Sequence, residues 1–200
     1  MSLSNSVYYF VLVSLLWLIP LPLVSVSSQE STFLIDDFTR DNQLSTLGTA
    51  WRSFSDRVMG GVSRGQHRFE ELDGKPCIRL VGDVSLDNSG GFIQVALTLE
   101  DRGRPFDASP YQGIRVSVRG NNSRYYIHLR SRQSQRPWQY YAAEFTATEE
   151  WRTLEIPFSD FKPEGLQAAL NTTALLRIAV VAAWQEFTAD VAVSRLEFYR

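Results

Sequence analysis

From residue 30 onward, apolar and polar residues alternate in short runs separated by turn-forming residues. Cys77–Leu86 (CIRLVGDVSL), Phe92–Leu99 (FIQVALTL) and Ile114–Val118 (IRVSV) show a period of two, as do Tyr125–Leu129, Trp151–Ile156 and Ala192–Phe198. Successive side chains of a strand point to opposite faces, so this alternation predicts strands with one face in a core. Ala174–Trp184 (ALLRIAVVAAW) is almost continuously apolar, the pattern of a strand covered on both faces. Asp73-Gly74, Ser89-Gly90-Gly91 and Gly120-Asn121-Asn122 supply turns between the runs. Only Glu164–Leu170 reads as a helical turn. Many short strands with regular turn spacing predict an all-β chain, an antiparallel β-sandwich of the jelly-roll kind.

The same alternation sorts side chains by face. Ile114, Val116 and Val118 oppose Arg115, Ser117 and Arg119, while Tyr125, Ile127 and Leu129 oppose Arg124, Tyr126, His128 and Arg130. Over Pro137–Ala147, Trp138, Tyr140 and Ala142 share the face opposite Gln139, Tyr141 and Ala143. One sheet surface is therefore expected to carry arginines among aromatic rings.

Residues 1–29 contain no charged side chain, and Val7–Val26 is nearly all apolar. Its central part has the length of a signal peptide, with Pro20 and Pro22 breaking a helix before small residues Ser25 and Ser27. The same stretch is long enough for a retained membrane anchor. The chain therefore divides into residues 1–29, a signal peptide or anchor, and residues 30–200, one domain with no Pro/Gly/Ser-rich linker. Export or anchoring on the extracytoplasmic, periplasmic or lumenal side is expected. A mitochondrial presequence, Arg-rich and amphipathic, fits less well.

Charge modifies this picture locally. The 200 residues carry 20 Lys+Arg and 22 Asp+Glu, a net charge of −2, which argues against nucleic acid as the partner. Residues 102–136, however, hold eight arginines and one acid, so the remainder of the chain carries −9. Guanidinium groups bind carboxylate and phosphate bidentately and stack on rings, so Arg115, Arg119 and Arg130 are candidates for an anionic ligand. The competing expectation is cross-strand pairing with Glu144, Glu155 and Glu197. Tyr126, Trp138 and Tyr140 are candidates for stacking on a sugar ring or base, with Arg130 and His128 as hydrogen-bonding neighbours, the alternative being cross-strand packing.

Ser55–Ser63 reads SDRVMGGVS and is preceded by Trp51. Gly82-Asp83-Val84-Ser85-Leu86 leads into Gly90-Gly91-Phe92, and Tyr111-Gln112-Gly113-Ile114 precedes a strand ending in Arg119-Gly120. Tyr126 with Leu129, Trp151, Ile156-Pro157-Phe158, and Phe161 with Pro163 follow in order. This set, running from Phe33 to Tyr199, resembles the complex I intermediate-associated protein 30 family. The resemblance implies a galactose-binding-like β-sandwich and a non-enzymatic role as an assembly factor or chaperone-like protein. Its implied partners are protein subunits of a membrane complex, respiratory or, in photosynthetic lineages, photosynthetic, there sometimes through RNA. Its N-terminus departs from the mitochondrial members.

The motif has its own physical logic. Gly60-Gly61 permits left-handed backbone or close approach. Asp56 and Ser63 can bond loop amides, and Met59 is an apolar plug that could pin the loop to the core. The functional alternative is a loop, comprising Asp56, Met59, Gly60, Gly61 and Ser63, that lines a ligand or partner site. Catalysis finds little support: Gly-x-Gly-x-x-Gly and Walker loops are missing from the sequence, and Gly61-Val62-Ser63-Arg64-Gly65, which spells Gly-x-Ser-x-Gly, stands in a glycine loop of an all-β pattern and not between a strand and a helix. No catalytic residue, metal or cofactor is expected. Asp36, Asp37, Asp56, Asp83 and Asp87 read as scattered turn acids facing solvent, the alternative being a calcium site or an acid pair. Cys77, the single cysteine, reads as a buried thiol. The function expected is binding of assembly intermediates of a membrane complex, with an exported carbohydrate-binding module as the alternative.

Overall fold

The structure is a computed structural model, and it describes residues 32–101 and 104–200. The N-terminal apolar segment lies outside the described residues. β1 Phe33–Asp36, β2 Arg52–Ser55 and β3 Arg64–Leu72 lie outside the alternating runs, whereas β4 Lys75–Val84 and β5 Phe92–Thr98 form where the alternation predicts strands. After the short pair β6 Glu100–Asp101 and β7 Arg104–Pro105 come β8 Gly113–Gly120, β9 Ser123–Ser131 and β10 Tyr140–Ala147. The chain ends with β11 Arg152–Pro157, β12 Lys162–Glu164, β13 Leu175–Ala183 and β14 Phe187–Tyr199.

These strands make two antiparallel six-stranded sheets. The first has the order β11-β8-β14-β4-β3, with β1 also on β14; the second has the order β12-β10-β9-β13-β5-β2. β14 is long enough to pair with β4 through its first half and with β1 through its second, while β8 takes its other edge. A register shift between Val193 and Arg195 lets the strand put Val191 and Val193, then Leu196 and Phe198, into one core. From the first sheet, Ile78, Leu80, Ile114, Val116 and Val118 face that core. Ile93, Leu97, Ile127, Leu129, Ile178 and Val180 meet them from the second.

β13 lies between β9 and β5, and both its faces are covered. Ile178, Val180 and Ala182 join the main core. Ala179, Val181 and Ala183 form a second, smaller cluster on the outer side with Ala96 and Tyr126, packed by Phe54 and Phe92. The continuous apolar run is thus explained by two cores on one strand.

Glu164–Leu170 is not a helical turn. β12 ends at Glu164, Gly165 takes φ +69°, and the next helical residues are the 3-10 turn Thr172–Ala174. Side chains from across the gap bond this stretch instead. Gln139 Nε2 donates to the Gly165 carbonyl (3.0 Å), the Tyr141 hydroxyl donates to that of Ala169 (3.3 Å), and the Asn171 N–H donates to Gln133 Oε1 (3.0 Å). Backbone groups satisfied this way have no need of helical partners. Cys77 is buried, 1% exposed, and burial, with Glu70 nearby, pushes its thiol up to about 11.

Tyr125 ties the two sheets together. Its ring is wholly buried, and its hydroxyl donates to Asn121 Oδ1 (2.6 Å) and accepts from the Asp190 N–H (2.9 Å) on β14. Tyr125→Phe leaves that amide without its partner. We expect a loss of about 1–2 kcal/mol in urea unfolding, with a lower midpoint and an unchanged slope.

A groove on the outer face of the second sheet

Strand register builds the site. Ala142, His128, Ala179 and Ala96 align across β10, β9, β13 and β5 on the outer face, and Glu144, Tyr126, Val181, Gln94 and Phe54 form the neighbouring row. Three alanines in one row leave a trough, because methyl groups reach less far from the sheet than the rings on either side. The trough widens into a groove of about 610 Å³ floored by Ala179, Val181 and Ala183. Phe54 and Phe92 line one flank and His128, Tyr140 and Trp138 the other. From Arg177 to Ala183 the strand beneath it covers about 20 Å at the usual rise per residue.

One end is closed by the glycine-rich motif. Asp56 opens a 3-10 turn, Asp56–Met59, and its carboxylate is completely buried. It accepts from the N–H groups of Ser63 (3.0 Å), Gly91 (2.6 Å) and Phe92 (3.3 Å) and from the Ser63 hydroxyl. Burial raises its pKa, but the Ser63 hydroxyl and the three amides outweigh burial and hold the carboxyl below its ordinary value. The glycines make room for it. A Cβ on Gly61 would collide with the Asp56 side chain, and one on Gly90 would lie 2.5 Å from Asp56 Oδ2; Gly60 has φ +94°. Met59 does not plug the core, as the sequence suggested. With its carboxylate turned inward, the loop turns Val58 and Met59 outward, 75% and 59% exposed, onto the rim of the groove.

The aromatic flank is layered. His128 stacks on Tyr140 with ring centroids 4.2 Å apart, and Trp184 packs edge-on against Tyr126 at 4.3 Å. Burial pushes His128 down to about 3, so its imidazole is neutral at physiological pH; its Nε2 is enclosed and has no partner among the described residues. Burial, with Glu164 nearby, pushes Tyr140 up to about 12. Trp184 has φ +63°, an unusual backbone for a large side chain, and its N–H donates to the Gly91 carbonyl (3.1 Å). That conformation ends the apolar strand and stands the indole at the mouth of the groove.

The expected arginine face is divided. β8 and β9 are consecutive but belong to different sheets, so Arg115 and Arg119 lie on the outer face of the first sheet, away from the groove. Arg115 pairs there with Glu155 (2.7 Å) and Glu197 (3.2 Å), and Arg119 with Asp73 (2.5 Å). Arg124 pairs with Glu144 (3.6 Å) on the second sheet. The competing expectation of cross-strand pairing describes these groups. Of the candidate residues, Met59, His128, Arg130, Trp138 and Tyr140 line the groove; Asp56, Gly60, Gly61 and Ser63 shape its end, and Tyr126 supports Trp184.

Phe54, Phe92, Arg177 and Trp184 were not singled out from the sequence. Period-two alternation marks Arg177 within an otherwise apolar run, and that signal was available. Two of the acids read as solvent-facing are instead buried: Asp56, and Asp36, which accepts from Trp51 Nε1 (2.8 Å) and the Phe38 N–H (2.9 Å). Among the described residues, no group of three or more His, Cys, Asp or Glu side chains converges.

Asp56→Asn places an amide against donors and should cost about 2–4 kcal/mol at pH 7. The wild-type carboxyl has a depressed folded pKa, so its stabilisation is complete above the unfolded value and is lost as pH falls through the folded one. Urea unfolding from pH 7 to pH 2.5 should therefore show the difference between variant and wild type largest at pH 7 and narrowing as the pH falls below the ordinary carboxylate range.

The fold has relatives among solved structures. A family 11 carbohydrate-binding module from Clostridium thermocellum, in complex with a β-1,3-1,4-mixed-linked tetrasaccharide, is 17% identical with a TM-score of 0.64. The match covers 84% of this chain and 94% of that one. The family 11 module of the cellulosomal cellulase Lic26A-Cel5E from the same organism is 16% identical, with a TM-score of 0.66, over 86% of this chain and 95% of that one. A family 30 carbohydrate-binding module is 16% identical over 85% and 84%, with a TM-score of 0.53. At such identities the likeness establishes the fold, a galactose-binding-like jelly roll. No curated protein matches significantly. The family model described as Complex I intermediate-associated protein 30 (CIA30) matches residues 37–185, which include every residue lining the groove. The chain belongs to the Complex I intermediate-associated protein 30 family.

Proposed function

We propose that this protein is a non-catalytic binding module that holds an extended, largely apolar segment of a membrane-complex subunit during assembly. The observation that carries this reading is the chemistry of the groove. Alanine and valine floor it and rings line both flanks, while no carboxylate lines it among the described residues. Acid–base chemistry needs a proton carrier in reach of a substrate, and the one imidazole there is held neutral with its Nε2 enclosed. An apolar trough about 20 Å long suits about six residues of extended peptide. The family name, which refers to intermediates of complex I, supports a partner of this kind. An apolar N-terminal segment would bring the module to a membrane surface, on the exported or anchored side.

A carbohydrate is the second reading. It is favoured by the exposed indoles of Trp138 (59%) and Trp184 (47%) and by the tetrasaccharide held by a module of the same fold. Sugar hydroxyls, however, need acceptors as well as donors, and a hydroxyl pressed onto alanine methyls loses its hydrogen bonds to water.

Trp138→Ala combined with Met59→Asp changes two exposed rim residues, so stability should stay within about 0.5 kcal/mol of wild type. Captured from gently solubilised membranes, the tagged wild-type chain should retain subunits of one membrane complex. The double variant should lose at least about tenfold of them, and Arg119→Gln on the opposite sheet should lose none. Retention on a glycan array, displaced by free sugar and abolished by the same double variant, with no protein subunit captured, would overturn the reading in favour of the carbohydrate module.

A further inference from the structure

The end of the groove away from the Asp56 loop holds two guanidinium groups that make no ion pair among the described residues. Arg130 on β9 and Arg177 on β13 are directly opposed in the antiparallel ladder, and both line the groove. Like charges so placed repel. Elsewhere on the two sheets Arg79, Arg115, Arg119, Arg124 and Arg195 each pair with a carboxylate, and Arg52, Arg64, Arg68 and Arg152, which have no ion pair among the described residues, are exposed to water, whereas Arg130 and Arg177 are half-buried. Arg177 lies over the Phe54 ring, 5.4 Å from its centroid. Arg130 is fixed by one terminal nitrogen, which donates to the carbonyls of Ser134 (2.8 Å) and Arg136 (3.0 Å); its Nε is buried without an acceptor among the described residues.

Two features point outward from this pair. A polar recess of about 270 Å³ continues from it, lined also by Thr98 and Glu100, and Glu100 pairs with neither guanidinium. Desolvation and the neighbouring Arg177 both lower the pKa of Arg130, the signature of a cation lacking a compensating anion. Two cations that line the same groove and recess repel, and an arriving anion relieves that repulsion.

We propose that Arg130 and Arg177 form a carboxylate subsite that receives the acidic side chain or free C-terminal carboxylate ending the apolar segment held in the groove. The proposal rests on the groove reading above and gives it polarity: the ligand's charged end lies between these arginines and its apolar end against Met59. The shared chemistry is a carboxylate attached to an apolar body. Two neighbouring guanidiniums can receive its two oxygens together, which a single amide donor cannot.

The test is thermal unfolding of the full chain in mild detergent at constant ionic strength, with small probes at about 100 mM. N-acetyl-leucine presents a C-terminal carboxylate with an apolar side chain, N-acetyl-glutamate amide an acidic side chain, and N-acetyl-leucine amide no charge. Galacturonate presents the carboxylate on a sugar. A ligand that binds only the folded chain raises its midpoint, here by about 2 °C for the two acyl amino acids. The uncharged amide should give no rise. Arg177→Gln should unfold no earlier than wild type without probe and lose the response; Arg119→Gln should keep it. The larger response of the first two probes assigns the carboxylate to a chain terminus or a side chain. A rise that survives in Arg177→Gln, or one given equally by the uncharged amide, overturns the subsite even where subunit capture by the groove succeeds. A response larger to galacturonate than to both acyl amino acids overturns the peptide source. Failure of subunit capture with an intact Arg177-dependent rise overturns the groove reading and leaves the carboxylate chemistry standing.

Discussion

The buried carboxylate of Asp56 is the constraint on which the rest of the site depends. An ion in a dry environment is tolerated only if its lone pairs are filled, and here three backbone amides and one hydroxyl fill them. Those donors come from three places in the chain: the end of the motif, the glycine turn before β5, and the start of β5 itself. One side chain therefore fixes the position of two loops relative to the sheet. The glycines follow from it, since Gly61 and Gly90 lie where a Cβ would occupy the carboxylate's space. The exposed Val58 and Met59 follow as well: with Asp56 turned inward, the remaining side chains of the turn face outward, and these two reach the rim of the groove.

The sandwich supplies the other half of the site. β13 runs between β9 and β5 and gives one set of side chains to the core and the alternate set to the groove. The floor is therefore the back of the central strand, and the flanks are the neighbouring strands' larger residues in register with it. Trp184 closes the arrangement by leaving the strand with a left-handed backbone, bonded to Gly91, whose own amide belongs to Asp56. Motif, floor and indole are joined by consecutive hydrogen bonds.

Much of this was legible in the sequence, and the limits are instructive. Period-two alternation located β4, β5, β8, β9 and the second half of β14, and sorted Ile114–Arg119, Arg124–Arg130 and Tyr140–Ala143 into the two faces they occupy, because that depends on neighbouring residues alone. Alternation does not say which sheet a strand joins. Gly120-Asn121-Asn122 looks like a hairpin turn yet carries the chain from one sheet to the other, so Arg119 and Arg130 were placed together when a whole sandwich separates their faces. Asp56 was legible as a loop acid bonded to nearby amides. Its bond to Gly91, 35 residues on, depends on the packing of two sheets. The Glu164–Leu170 stretch failed for a similar reason: its partners are side chains across a gap, and no local pattern records them.

A floor shared with the core has a thermodynamic consequence. Flexible binding loops lose conformational freedom when a ligand arrives, and that loss is subtracted from affinity. Ala179, Val181 and Ala183 have little to lose, for their backbone is already held by strands on both edges and by Ile178, Val180 and Ala182 beneath. The ordering cost of association then falls on the guest. A stiff trough of this kind discriminates by width: an added methyl group that a loop would accommodate must here displace the hydrophobic core itself.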